Sequence, residues 1–224
     1  MFIYDIYKKF MPQNKKFMPQ SGDISTSVRQ ARSALTEEAI IQAAIASIEE
    51  AEDFKAVSSR QLSKKSGFSV GLLYRYFKSK DQLYANLWMY FIVRLHKSLI
   101  KKLEVFPNTG TLRQLMMLIT EHYFDDLANR KRNRVVPLYR LYIQSSNEPE
   151  NIAKPIDILI EPLMDIIQKN QSGTMRALDQ NEIRVYLRAA LAMVRSDFLE
   201  GNPFFGTQPH QRVILDALVR LFQK

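Results

Sequence analysis

The sequence predicts an all-α protein, and three observations carry that expectation. Apolar residues recur at spacings of three and four in segment after segment, the period of an amphipathic helix. The 224-residue chain is rich in Leu, Ile, Ala, Glu, Lys and Arg but holds only seven Gly and nine Pro, which favours helix over sheet. Between Ser58 and Phe77 two short helical patterns flank a single glycine, Gly67, the layout of a helix-turn-helix.

Residues 1–34 are expected to be a flexible leader. In it Lys8-Lys9-Phe10-Met11-Pro12-Gln13 recurs as Lys15-Lys16-Phe17-Met18-Pro19-Gln20. The plain reading is a duplicated leader with Met11 or Met18 as alternative starts; the sharper one is a basic tail that adds affinity for DNA or membrane. The first helix is expected after Thr36, a residue that caps helices well, with Glu37 and Glu38 at the positive end of the dipole. Ile40, Ile41, Ala44, Ile45 and Ile48 form its apolar stripe, and Glu49, Glu50, Glu52 and Asp53 close it.

A short helix then begins at Ser58 or Ser59, whose hydroxyl can accept from an unpaired first-turn N–H. Leu62 points inward and Arg60, Gln61, Lys64 and Lys65 outward. Gly67 supplies the positive φ of the turn, Phe68 fills the corner, and Ser69 caps the next helix, Val70 to Phe77. On a helical wheel Leu73 and Phe77 share one side with Tyr76 beside them, while Gly71 and Arg75 fall opposite, flanked by Leu72 and Tyr74.

From Phe54 to Lys80 there are seven basic residues (Lys55, Arg60, Lys64, Lys65, Arg75, Lys78, Lys80) and no Asp or Glu, against a net charge of +9 for the whole chain. The charge is therefore a local patch, and local patches steer polyanions. A basic, acid-free helix pair suits a duplex whose phosphates are neutralised and whose major groove is entered by one helix. Small residues at the start of that helix permit close approach to base edges, and the Tyr74 hydroxyl and Arg75 can reach phosphates or a guanine edge. The same pattern also describes a solvated basic face, so a helical interaction or membrane-surface protein stands as the alternative.

Ser58 to Leu83, SSRQLSKKSGFSVGLLYRYFKSKDQL, closely resembles the DNA-binding signature of TetR-type transcriptional regulators, and Leu73 to Leu83 is its most specific part. With the preceding helix the resemblance covers about 50 residues; beyond them only length and helical pattern agree. It implies a three-helix DNA-binding head (residues 35–80), an all-helical effector-binding and dimerisation body (81–224), and a homodimeric repressor released from a palindromic operator by a small apolar or amphipathic ligand. Carried over by position, Ser58, Ser59 and Arg60 match contacts from the first helix of the motif. Val70, Gly71, Leu72, Tyr74 and Arg75 match the recognition helix, and Tyr76 and Lys80 match contacts to the phosphate backbone. Arg29 and Arg32 match a basic arm that some members use. Leu72 stands where the family usually has threonine; leucine donates no hydrogen bond, and a thymine methyl would suit it.

Ser79 and Gln82 have capping-box spacing for a helix running to about Glu104. Pro107 to Gly110 breaks the pattern, and a further helix spans about Thr111 to Asn129. The cluster Arg130, Lys131, Arg132 and Arg134 follows, expected to cap a helix end and stay solvated rather than bind nucleic acid. Residues 135–146 and a stretch to about Asn170 read as helical, the latter bent at Pro155 and Pro162. Ile183, Tyr186, Leu187, Ala190, Leu191 and Val194 form a stripe on one terminal helix; Val213, Ile214, Ala217, Leu218 and Leu221 form one on the last. Both either complete the subunit core or close a four-helix dimer interface, the second being what the resemblance implies.

Trp88, Phe91, Met116, Met117, His122, Tyr123, Tyr139 and Tyr142 are the candidates for an effector pocket, because Met and aromatic side chains line adaptable apolar cavities. His96, His122 and His210 are scattered, without metal-ligand spacing, and no phosphate loop or catalytic set is discernible. No metal, cofactor or enzymatic activity is expected. The absence of Cys excludes disulfides and fits a cytoplasmic location. No apolar run of 18 residues and no signal-peptide pattern is seen.

Overall fold

The structure is a computed structural model that describes residues 24–51, 56–145 and 155–223. Among them are nine helices: α1 (Ile24–Glu50), α2 (Ser59–Ser66), α3 (Val70–Tyr76), α4 (Lys80–Leu103), α5 (Leu112–Ala128), α6 (Arg132–Ser145), α7 (Ile160–Lys169), α8 (Gln180–Glu200) and α9 (Gln208–Phe222). Among the described residues there is no strand, only an isolated antiparallel bridge between Met175 and Gln223. The duplicated KKFMPQ segment lies outside them.

The chain divides into two compact units, one made of Met1–Phe91 with Asn133–Asn151, the other of Ile92–Arg132 with Ile152–Lys224. In the first, α1 packs on α2 and α2 on α3. Ile40, Ile41, Ala44, Ile45 and Ile48 are buried with Leu62, Leu73, Phe77, Leu83 and Leu87. Fully burying each such aliphatic side chain is worth about 1.5–3 kcal/mol, so this cluster is the main source of stability for the short α2–α3 pair.

One expectation is corrected here. The first helix begins at Ile24, and Thr36 sits inside it rather than capping it. The Thr36 hydroxyl donates to the Arg32 carbonyl at 2.9 Å, the back-bond by which serine and threonine are accommodated within helices. No Pro or Gly interrupts residues 24–50, so nothing stops the helix from extending toward its start.

The first unit is also tied by polar contacts. Gln42 donates to Glu38 Oε1 and to the Tyr90 hydroxyl, both at 2.7 Å, and Tyr90 donates to the same carboxylate at 3.1 Å. Arg134 Nη2 donates to the Ala51 carbonyl beyond α1 at 3.0 Å. The rings of Trp88 and Tyr139 are 5.0 Å apart.

In the second unit α5 packs against α8 and α9, and α8 also against α7 and α9. Thr111 and Asp179 cap α5 and α8 with complete capping boxes, and Thr207 caps α9. The helix α8 ends at Gly201 with φ 77°, and Arg132 closes the orphan carbonyls there, Nε to Phe198 O at 2.9 Å and Nη2 to Leu199 O at 2.6 Å. Of the basic cluster after α5, Arg132 and Arg134 are thus spent on helix ends, Arg130 is paired to Asp126 and Lys131 is exposed. Ile183, Leu187, Ala190, Leu191, Val194, Ile214 and Leu218 are buried in the subunit's own core, Tyr186, Ala217 and Leu221 are half-buried, and Val213 is exposed.

Two histidines are buried in this unit. Nδ1 of His96 lies 2.6 Å from the Pro155 carbonyl and Nε2 of His122 lies 3.0 Å from the Leu95 carbonyl. Burial holds His96 far below the ordinary imidazole range, at about 4, partly offset by its bond to Pro155.

Two outcomes are expected. An alanine Cβ at position 201 would lie 2.8 Å from Arg132 Cζ in a left-handed backbone. Gly201→Ala should therefore cost about 1–2 kcal/mol, a fall of about 2–8 °C in the melting temperature measured by calorimetry. His96 stays neutral in the folded chain while the unfolded chain takes up its proton from pH 6.5 downward. The unfolded state then binds more protons, so stability falls between about pH 6.5 and pH 4 by about 3 kcal/mol at full extent. Denaturant titrations across this range should show the loss in the wild type and a flatter profile in His96→Gln.

Candidate nucleic-acid interface

The helix-turn-helix is assembled by local hydrogen bonds that the sequence encodes one residue at a time. Ser58 is the cap of α2: its Oγ accepts from Gln61 N at 3.2 Å while its own N–H donates to Gln61 Oε1 at 2.7 Å. Gly67 ends α2 at φ 76°, its N–H donating to Ser63 O, in a conformation that non-glycine residues adopt only at a cost. Ser63 Oγ donates to Phe68 O at 2.6 Å, and Ser66 Oγ accepts from Phe68 N at 3.3 Å. The turn is therefore held from both sides. Ser69 then caps α3, accepting from Leu72 N at 3.2 Å.

Leu73 and Phe77 anchor α3 with 4% and 2% of their surface exposed, whereas Gly71, Tyr74 and Arg75 are exposed and Val70, Leu72 and Tyr76 half-buried. Ser59 Oγ and the Tyr74 hydroxyl are hydrogen-bonded at 2.7 Å, which joins the start of α2 to the outward face of α3. Two residues nominated from the sequence are thus joined in one polar feature. Tyr76 is turned toward α1, its hydroxyl accepting from Ser33 Oγ at 3.3 Å. Ser58, Arg60, Lys64, Lys65 and Lys78 are exposed around this face, and Lys65 is paired with Glu50. Lys80 differs from them: its Nζ donates to the Val57 carbonyl at 3.1 Å and lies over the Tyr84 ring. Arg32 is exposed on α1; the side chain of Arg29 lies outside the described residues.

The candidate effector residues are divided between the units. Trp88, Phe91, Tyr139 and Tyr142 belong to the first, Met116, Met117, His122 and Tyr123 to the second. In the second, the ring of Tyr123 lies 5.8 Å from that of His96 and 6.2 Å from that of His122. Met117 faces outward, 42% exposed. Sequence reasoning weighed His96 only as a metal ligand, although its place three residues after Val93 and three before Leu99 puts it on the buried stripe of α4. Among the described residues no group of His, Cys, Asp and Glu could hold a metal ion, and no helix is long and apolar enough to cross a membrane.

Residues 40–87 match the family model for bacterial regulatory proteins of the tetR family. Solved structures agree in fold. A TetR-family transcription regulator from Marinobacter aquaeolei VT8 is 18% identical, covering 87% of this chain and 99% of its own, with a TM-score of 0.52. The fatty acid degradation regulator FadR from Bacillus halodurans is 17% identical (81% and 97% covered, TM-score 0.55). FadR from Bacillus subtilis, solved with stearoyl-CoA, is 18% identical (81% and 97% covered, TM-score 0.52). No curated protein sequence matches the chain. Residues 40–87 of this chain are thus similar to the DNA-binding region of tetR-family regulatory proteins, and the chain shares the fold of solved TetR-family regulators.

Proposed function

We propose that the protein is a homodimeric, cytoplasmic repressor, released from a palindromic operator by a small apolar or amphipathic effector. Residues 35–80 act as the DNA-binding head and 81–224 as the effector-binding and dimerisation body. The observation that carries this reading is the outward face of α3, where Gly71 and Arg75 are exposed opposite the buried pair Leu73 and Phe77 and Tyr74 is exposed on their flank. In the major groove Gly71 leaves room for close approach and Arg75 reaches a guanine edge or a phosphate. Tyr74, held by Ser59, and Arg60 contact the backbone. Val70 and Leu72 offer apolar contact, best matched by thymine methyls. Lys80 and Tyr76 are engaged by Val57 and Ser33, so their contribution to phosphate binding is made through the position of α3 and α4 as well as through charge. Arg29 and Arg32 serve as the basic arm.

The dimer forms through the outward faces of α8 and α9. Val185 and Val213 are exposed there at 61% and 66%, with Ala189, Ala192, Ala217 and Leu221 half-buried, and small residues of this kind permit close approach of helices. The buried stripe residues of the same helices support this face from behind. Two recognition helices related by the twofold axis then read half-sites about one helical turn, ~34 Å, apart. The effector acts by binding more tightly to the conformation whose heads are wrongly spaced.

Selection of bound sites from random duplexes should return a palindrome, and a set of sites without dyad symmetry would overturn the reading. Against the selected site, Arg75→Ala should lose about 10- to 100-fold in affinity with an unchanged melting temperature. Fluorescence anisotropy reads the first and calorimetry the second. Val185→Glu with Val213→Glu should give a folded monomer by light scattering that binds the full site weakly.

A further inference from the structure

A hydrogen-bonding donor with nothing to bond lies in the middle of the second unit. Among the described residues two buried side-chain polar atoms lack a partner, Arg134 Nε and the Tyr123 hydroxyl. Arg134 still places Nη2 on the Ala51 carbonyl. The hydroxyl is the whole polar capacity of Tyr123, which is 94% buried by its 6% exposure. A native core rarely leaves such a group unpaired, and exceptions concentrate at functional sites.

The two histidines beside it have defined tautomers. A carbonyl only accepts, so His96 donates from Nδ1 to Pro155 and keeps a lone pair on Nε2. By the same argument His122 donates from Nε2 to Leu95. The cluster therefore offers one O–H donor and, on neutral His96, one imidazole acceptor. The charged groups that act on Tyr123 are of both signs, Asp126 and Arg195, and Asp126 is paired with Arg130.

Met116 and Tyr123 stand seven residues apart on α5, on the same side of the helix and about 10 Å apart along its axis. Met116 lines an apolar cleft with Leu112, Leu115, Leu163, Ile167 and Phe222. In this structure the cleft has room for about one water molecule. Its cation, Arg176, already pairs with Glu182 at 3.1 Å and with the Tyr186 hydroxyl at 2.6 Å.

We propose that the effector site of the second unit takes an uncharged amphiphile. Its hydroxyl or amide head is held by Tyr123 and His96, and its apolar tail runs along α5 into the cleft at Met116. This rests on the effector reading above and gives it a ligand class. The head both accepts from Tyr123 and donates to an imidazole, which a hydroxyl or an amide does and a carboxylate does not. The tail enters only when Met116, a side chain with three rotatable bonds, swings aside. The ligand therefore prefers an opened conformation over the closed one, which is the differential affinity an effector requires.

The test uses the full chain and three probes with the same eight-carbon tail: 1-octanol, octanoate and octyltrimethylammonium. 1-Octanol should raise the melting temperature of the wild type more than either ion does at equal concentration. Tyr123→Phe should bind 1-octanol about five-fold more weakly, the loss of one hydrogen bond to a neutral group. Without a probe, Tyr123→Phe should melt at or above the wild-type temperature, because it removes an unpaired buried donor. A fall of more than about 2 °C would show a partner in the free protein and overturn the proposal. It is equally overturned if 1-octanol gives no shift, if octanoate stabilises more strongly, or if Tyr123→Phe binds 1-octanol as the wild type does. Stabilisation by 1-octanol with no change in operator affinity would leave the site standing and remove the effector role from it.

Discussion

The Val57 carbonyl is the point on which the presentation of α3 depends. It receives the Lys80 ammonium at 3.1 Å and the Tyr84 hydroxyl at 3.3 Å. These two donors on the first turns of α4 bind the strand of chain that enters α2. Burial keeps the Tyr84 phenol well above its ordinary range, with Asp81 adding to the shift, so it remains a donor. Because α3 lies between α2 and α4 in sequence, fixing its neighbours to one carbonyl fixes its ends. A bond from an ammonium is stronger than one between neutral groups, and Val57 itself is buried. The outward direction of Tyr74 and Arg75 follows from these anchors and not from any contact of their own with the core.

The second unit solves a different problem. Its helices carry apolar stripes that its own elements cover, and its polar residues are used at helix ends or buried in pairs. Asp197 illustrates the first use. It accepts from Asn202 and from the His210 ring, and these bonds hold its carboxyl below the usual carboxylate range, so the loop between α8 and α9 is tied at its base. His96 and His122 illustrate the second. Each donates to a backbone carbonyl, at a cost in desolvation that a leucine would not incur, and together they place polar capacity where an apolar core has no need of it.

What was legible in the sequence was whatever local rules govern. Ser58, Gly67 and Ser69 occupy cap positions because capping depends on a residue and its neighbours three or four places away. The helical class follows from periodicity in the same way. The start of α1 was hidden because Thr36 satisfies two rules, capping and back-bonding, and only the chain beyond it decides between them. The Ser59 to Tyr74 bond and the Lys80 to Val57 bond were hidden for another reason: each joins residues whose proximity is tertiary. The stripes on α8 and α9 were visible as apolar faces, but which helix covers them is a property of packing, and α5 and α7 do so for the buried residues. His96 was weighed only as a metal ligand, and its burial beside Tyr123 could not be read from spacing because it is a tertiary contact.

The bond between Ser33 and Tyr76 has a practical consequence. It ties α1 at Ser33 to Tyr76, the last residue of α3, so the end of that short helix is held by the long one. A label attached at Ser33 would break this bond, whereas one attached to the second compact unit leaves it intact.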